Sequence, residues 1–570
     1  MNTYRKNIII TGIFLLLLLC FSFAIRIYKV NSAPSGFLID EASIGYNAYS
    51  ILKTGKDEHG ISFPLVFKAF GDQKLPLYIY FVVPFIKYFG LSIFSVRLPS
   101  ILAGSFLPVV IYFLLLEFGF KKKISFFGGI ITAISPWTII LSRFGFETNI
   151  GLLFFSLGIL FSFISLRKKS FIISIIGGLF FGLTMYCYVA YRFITPLIIL
   201  SYFLLKINKK SFITKTRLIF FASFLIVILP LTFTLFTKES TVRLNQSSLN
   251  YLSGMKMEIN ENRTFCSQNL PKILCYSSSN KFIFIARTYL YRYINVFSPS
   301  YLFLVGNDKD HALGVDNFGL FYVWLLPFYV LGILSMISRF RNKRFTSVDI
   351  FVCFGLFVSV TPSLLAENPH ILRLSALFPF IVILVSHGIS FVEEYIKRDC
   401  FKKIFFIFLY VFSYFSLIFF LILFLTVHIR KYEITYGTYI PKLMKYLGQQ
   451  NKNTQIFIRS ITEGIIYYAY VNAVDPTIYQ KKIIFKQPDG ISFAHAKDLE
   501  NIHITEESMF EIACSAKNQR NKTLFVSNEN DLRIIDQAKK IIFSENGVDT
   551  IAIVYDLSKI DYDYSLCQKK

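Results

Sequence analysis

Long apolar runs separated by short basic knots constrain this chain more than any other feature. The knots are Arg5-Lys6, Lys121-Lys122-Lys123, Arg167-Lys168-Lys169, Lys206 to Arg217, Arg339 to Arg344 and Lys397 to Lys403. The runs between them approach ~20 residues, the length of helix that crosses the hydrocarbon core of a bilayer. Basic knots on alternate connections are the orientation signal of a polytopic membrane protein. The charge follows the same division. The chain is formally +25, yet its last 141 residues hold 19 of the 60 Lys and Arg and 17 of the 35 Asp and Glu. The basic excess therefore lies in the apolar part, between the runs. That location argues against nucleic acid as a partner, the usual meaning of so basic a chain. Sixty-five Phe and 34 Tyr exclude a disordered chain.

We expect an α-helical polytopic membrane protein with about 11 transmembrane helices. They fall near 8–28, 97–118, 125–141, 148–166, 171–187, 193–206, 218–236, 318–337, 347–365, 374–391 and 404–428. The first run is long and no small-residue cleavage site follows it cleanly. It reads as an uncleaved helix with its amino end in the cytoplasm. Alternation then puts every basic knot on the cytoplasmic side and the carboxy-terminal region outside, in a multi-pass protein of the plasma (inner) membrane. The expected domains are a transmembrane part, 1–429, with outer loops at 31–96 and 237–317, and a small α/β extracytoplasmic domain, 430–570. In that tail, Gln455–Ile458, Thr523–Val526 and Thr550–Tyr555 read as strands and Asn530–Ile542 as helical. Leu75 to Gly90 is apolar but too short to span comfortably, and reads as an interfacial or re-entrant segment.

Eight cysteines are too few for a disulfide-dense scaffold. Cys20, Cys187 and Cys353 fall in apolar runs, and Cys400 falls on the cytoplasmic side. Cys266 and Cys275 share the second outer loop, and Cys514 and Cys567 share the tail, where disulfides form; either pair could bridge. No Cys or His spacing suggests a zinc site, so no metal ligands are assigned.

Ionisable side chains gather where the runs end on the outer side. Asp40 and Glu41 lie in GFLIDEASIGYNAYSILKTGKDEHG, Asp72 and Lys74 in FGDQKLPLYIY, and Arg97 in VRLPS. Arg143 and Glu147 lie in SRFGFETN, and Arg192 in YCYVAYRFITP. Arg287 and Arg292 precede FSPSYLF, Asp308 to His311 follow it, and Glu367, His370 and Arg373 lie in ENPHILR. Charges at the mouth of a helix bundle are costly unless used or paired. A carboxylate beside a hydroxyl can act as general base. Cations at the membrane surface can hold a phosphate and stabilise it as it leaves. Together these describe transfer of a group from a lipid phosphate to an alcohol. The plainer reading makes them topological anchors and interhelical salt bridges.

An uncleaved first helix, an Asp-Glu pair early in a long outer loop, a K-x-P-L-Y segment and R-L-P-S at the next helix together resemble a known family. The chain is similar to the bacterial GT-C membrane glycosyltransferases, within the superfamily of dolichyl-phosphate-mannose protein mannosyltransferases and aminoarabinose transferases (glycosyltransferase family 39-like). The resemblance covers residues 1–200 strongly, continues more weakly to about 430, and does not reach the tail. It implies Asp40 as the catalytic carboxylate and general base. It implies Glu41 as its partner, positioning the acceptor or a hydrogen-bond network, and Glu147 as the second acidic motif. Lys74 and Arg192 correspond to donor-phosphate ligands, and His370 and Arg373 to a late donor-binding motif. The family often has Glu before that Lys; Gln73 stands there, which weakens any metal or acid role at that position.

The resemblance further implies a polyprenyl-phosphate-linked sugar donor, an acceptor hydroxyl on a protein, lipid or glycan, and inversion at the sugar. The sequence requires no cofactor; some relatives use a divalent metal, which stays open. Two other readings remain: a lipid-linked oligosaccharide ligase or polymerase, and a non-enzymatic transporter of lipid-linked glycans. The transporter would need charges at mid-membrane depth and an inverted repeat, and neither is found.

Overall fold

The computed structural model describes residues 2–34, 36, 38–69, 72–205, 214–235, 242–307, 313–364, 369–459, 461, 463–486, 495–516, 521–529, 535–543, 550–560 and 567. Each of the eleven expected runs is helical: Asn2–Ile27, Ile93–Glu117, Lys122–Ile134 with Pro136–Arg143, Glu147–Lys168, Phe171–Thr184, Val189–Leu204, Lys215–Leu235, Leu326–Arg341, Ser347–Leu364, Phe378–Tyr395 and Asp399–Ile422. Among the described residues, eight helices are long and apolar enough to cross a membrane, or nine if a bent pair forms one span. That pair, Lys122–Ile134 and Pro136–Arg143, breaks by 48°. Pro136 lacks the N–H that would continue the helix, so the axis turns there. Phe171–Thr184 and Val189–Leu204 are shorter, at 14 and 16 residues. The protein is an integral membrane protein.

The chain forms two compact units. The first comprises Met1–Tyr28, Ser100–Ser142 and Glu147–Ile422. Its helices lie close because small residues meet at their crossings. A Cβ at Gly388 would come within 1.9 Å of the Phe328 carbonyl oxygen. The second loop adds the helices Val242–Ser267, Lys272–Ser278 and Lys281–Val296. The first two are tied by a disulfide between Cys266 and Cys275, with an S–S distance of 2.04 Å.

The second unit comprises Lys29–Pro99, Arg143–Phe146 and Leu423–Lys570. It holds the helix Ile39–Thr54, a hairpin of β1 (Phe67–Ala69) and β2 (Asp72–Lys74), the helix Pro76–Phe89, and the tail. Gly55 ends the first of these helices in the left-handed conformation (φ 68°), its N–H returning to the Ile51 carbonyl. The segment 75–90 is therefore a 14-residue helix, with Pro76 at its first position, and it packs on Ile39–Thr54.

The tail is built on one seven-stranded sheet. Its strands are β3 (Gln455–Ile458), β4 (Ile483–Phe485), β5 (Ala496–Leu499), β6 (Ile502–Ile504), β7 (Thr523–Ser527), β8 (Lys539–Phe543) and β9 (Thr550–Asp556). Their spatial order is β4-β5-β6-β3-β7-β9-β8. β3 runs parallel to β6 and β7, and the outer pairings are antiparallel. Ile512, Ala513, Phe525, Ala538, Ile553, Tyr555 and Leu557 form the core on one face. Cys514 and Cys567 are joined by a disulfide.

One expectation fails here. Asn530–Ile542 reads as helical, but Lys539–Phe543 is the edge strand β8, while 530–534 lie outside the described residues. Pairing with buried β9 overrides the local pattern, and exposure alternates as a strand requires: Ile541 is 40% exposed and Ile542 8%. Asp308 to His311 and Glu367 also lie outside the described residues.

Candidate active site

Asp40 and Glu41 occupy the first turn of Ile39–Thr54, where free N–H groups and the helix dipole favour anions. Adjacent positions on a helix point about 100° apart, and the two carboxylates meet different surroundings. Glu41 is 1% exposed. Its Oε1 accepts from Arg97 Nε (2.7 Å) and the Gly145 N–H (2.8 Å). Its Oε2 accepts from Arg97 Nη2 (2.9 Å) and, across the helix start, from the Leu38 N–H (3.2 Å).

Arg97 is fully buried and spends its whole donor fork in this cluster. Beyond Glu41, Nη1 donates to the Val30 and Pro34 carbonyls (both 2.8 Å) and Nη2 to the Gly36 carbonyl (2.7 Å). Arg143 adds two bonds to the Ala33 carbonyl, from Nε (2.9 Å) and Nη2 (2.6 Å). Two guanidinium groups thus gather the carbonyls of the segment leading into Asp40 and fix where that helix begins. Gly36 is required by the close approach of the chain: a Cβ there would sit 1.9 Å from the Tyr436 carbonyl oxygen.

The Asp40 side chain is 40% exposed, and its Oδ1 is bonded to Lys74 Nζ. Lys74 ends β2 opposite the buried Phe67 and is itself only 7% exposed. An ammonium so enclosed requires anionic company, and Asp40 supplies it while keeping one flank open.

Glu147, Arg192, His370 and Arg373 belong to the first unit, each half-buried. Glu147 opens the helix Glu147–Lys168. Arg192, in the first turn of Val189–Leu204, donates Nε to the Met185 carbonyl (3.3 Å). His370 accepts the Leu372 N–H at Nδ1 (3.3 Å), in the turn before Phe378–Tyr395, and Arg373 lies in the same turn. All four sit at helix ends or turns. Among the described residues no group of three or more His, Cys, Asp and Glu side chains gathers as a metal cluster.

Sequence reading overlooked a second polar centre in this unit. Glu58 is buried and accepts Asn47 Nδ2 (2.9 Å) while its N–H donates to Asn47 Oδ1 (3.0 Å). Tyr479 of the tail reaches its other oxygen at 3.4 Å. Burial pushes the Glu58 carboxyl up to about 7, against the pull of the Asn47 bond. The one available signal was the charged run Lys56 to His59, which resembles an ordinary loop.

Residues 73–235 match the model of the dolichyl-phosphate-mannose-protein mannosyltransferase family. No curated protein matches the chain. Among solved structures, ArnT from Cupriavidus metallidurans in the apo state matches with a TM-score of 0.52 and 10% identity, over 97% of this chain and 99% of that one. The same protein bound to undecaprenyl phosphate gives 0.48 and 11% over the same shares. The Archaeoglobus fulgidus oligosaccharyltransferase in its apo form gives 0.49 and 13%, over 90% of this chain and 69% of that one. The family match over 73–235 thus lies on a chain whose fold is shared with ArnT.

Proposed function

We propose that the chain moves a sugar from a polyprenyl-phosphate donor to an acceptor hydroxyl on the extracytoplasmic side, with Asp40 as general base. The Asp40–Lys74 pair carries the reading: a carboxylate with an open flank, held by a nearly buried ammonium. The family matched over 73–235 is named for a dolichyl-phosphate sugar, which supports a polyprenyl-phosphate donor. Asp40 takes the acceptor proton as the acceptor oxygen bonds to the anomeric carbon. The carbon–oxygen bond to phosphate breaks, and polyprenyl phosphate leaves with the electron pair. The sugar inverts, and the proton later passes from Asp40 to water. Lys74 stands beside the base and offers positive charge to the departing phosphate. The family resemblance assigns Arg192, His370 and Arg373 to donor binding and Glu147 to the second acidic motif. Glu41 is the positioning carboxylate, keeping the Asp40 turn in register through Arg97.

The orientation belongs to the same proposal. With the amino terminus in the cytoplasm, the loop and tail disulfides fall outside, where oxidation is sustained, and the free Cys400 falls inside. The test is Asp40→Asn in the full chain, reconstituted with a panel of polyprenyl-phosphate sugars. A base of this kind contributes roughly 10²- to 10⁴-fold. We expect transfer to fall by at least that lower bound in a chain that stays folded, with some loss of thermal stability from the unpaired Lys74; unchanged transfer would sink the assignment.

A further inference from the structure

The tail helix Gly464–Val471 packs along Ile39–Thr54 as a parallel ladder. At its far end, the Tyr46 hydroxyl donates to the Val474 carbonyl (3.1 Å). One step nearer Asp40, the Tyr470 ring lies where a Cβ on Gly45 would reach it at 2.3 Å, so only glycine admits the contact. One turn earlier on each helix stand Tyr467 and the Asp40-Glu41 pair. The electrostatics agree. Burial pushes the Tyr467 phenol up, and the Tyr439, Asp40 and Glu41 charges push it the same way. One further turn back, at the helix start, stands Glu463, whose side chain is 11% exposed and whose Oε1 is bonded to His495 Nδ1 (2.5 Å). His495 is 39% exposed.

The base alone does not use these groups. Removing a proton from one hydroxyl needs one carboxylate, and Asp40 provides it. A tyrosine hydroxyl close enough to that base to feel its charge, with a carboxylate–imidazole pair one turn along the same helix, can serve a second polar group adjacent to the nucleophile. A sugar carries such a group on the neighbouring carbon.

We propose that Tyr467, Glu463 and His495 of the tail form the acceptor wall of the Asp40 site and select a carbohydrate acceptor, holding the hydroxyl next to the one that reacts. The proposal rests on Asp40 being the base. It gives the tail a positioning and specificity role, since none of the three takes part in bond making.

The test uses the full chain in nanodiscs and needs no knowledge of the donor. A panel of octyl glycosides and a Ser/Thr hexapeptide are titrated by calorimetry against wild type, Glu463→Gln, His495→Gln and Tyr467→Phe, with undecaprenyl phosphate as the control for the donor side. At least one glycoside binds wild type, and the Glu463 and His495 variants weaken it about tenfold. Tyr467→Phe weakens it less, and undecaprenyl phosphate binding and thermal stability are unchanged. The inference is overturned if no glycoside binds, if only the hexapeptide binds, or if neither the Glu463 nor the His495 variant alters glycoside affinity. Loss of all binding together with stability would also count against it, as a structural role. Asp40→Asn separates the two readings: if that variant still transfers sugar while glycoside binding depends on Glu463, the base assignment fails and the acceptor wall stands.

Discussion

Two fully buried arginines, one in each unit, are satisfied by opposite chemistry. In the helical unit, Arg26 is fully buried in the first helix and held by neutral oxygens. Its Nε donates to Ser142 Oγ (3.0 Å), Nη1 to the Ser22 hydroxyl (2.7 Å) and the Ala133 carbonyl (3.0 Å), and Nη2 to Thr138 Oγ1 (3.1 Å). Hydroxyls elsewhere in that unit follow the same economy, with Ser105, Thr132, Ser156 and Ser386 each donating to the carbonyl four residues back. In the loop-and-tail unit, by contrast, the buried Arg97 is set against the carboxylate of Glu41, and the nearly buried Lys74 against that of Asp40. A cation spread over neutral dipoles spares the apolar bundle a second charge to desolvate. Around Arg97 a carboxylate is at hand, and its neighbour Asp40 is left partly open.

Breaking the charge pair should therefore cost far more than breaking the neutral cluster. Glu41→Ala strips Arg97 of its anion and leaves a buried guanidinium. Removal of one partner of a buried pair costs about 3–5 kcal/mol. We expect the loop-and-tail unit to lose its cooperative thermal transition in the full chain. The double variant Glu41→Leu, Arg97→Met should be more stable than Glu41→Ala. A double variant as unstable as the single would show that the pair adds to stability beyond satisfying its own charges.

The same contrast explains what was legible. Apolar length and basic knots mark the bundle because a bilayer writes hydrophobicity directly into composition. A helix falls in each of the eleven expected runs, the one at 318–337 beginning only at Val323, and β3, β7 and β9 begin at the expected residues. The motif residues Asp40, Lys74 and Arg97 were visible as charges at run ends, but their pairing was not, since Arg97 reaches Glu41 across 56 positions. Arg26 was hidden because a single cation near the end of an apolar run looks like an interfacial anchor. Glu463 and His495 were hidden more deeply. Only the packing of Gly464–Val471 on Ile39–Thr54 relates them to Asp40, and no local pattern encodes a contact between residues over 400 positions apart.

The second difference appears with pH. The Glu58 carboxyl is raised to about 7 chiefly by burial, with Asp57 and Glu463 adding to the shift and the Asn47 and Tyr479 bonds opposing it. The folded state therefore holds this proton more tightly than the unfolded chain does. Its stabilising effect is full below the ordinary carboxylate value near 4.5, declines as pH rises, and is lost above about 7. The span corresponds to about 3 kcal/mol. Thermal unfolding of the loop-and-tail unit should occur at lower temperature at pH 8 than at pH 5.5. Glu58→Gln, which cannot ionise, should flatten that slope; an unchanged slope would place its origin in other groups.

The smallest effect should come from the neutral cluster. Arg26→Met keeps an unbranched chain of similar reach and removes every donor of the guanidinium. The oxygens it leaves are not stranded as Arg97 would be. Ser142 Oγ already donates to the Thr138 carbonyl, and Thr138 Oγ1 donates to the Thr132 carbonyl (2.7 Å). Those two hydroxyls keep a partner, while the Ser22 hydroxyl and the Ser22 and Ala133 carbonyls each lose one bond. Interhelical polar contacts in bundles of this kind are worth roughly 0.6–2 kcal/mol, so about 1–2 kcal/mol should be lost in denaturation of the bundle by SDS. A loss as large as that of Glu41→Ala would mean that Arg26 is paired with a charge, and the contrast between the two units would fall.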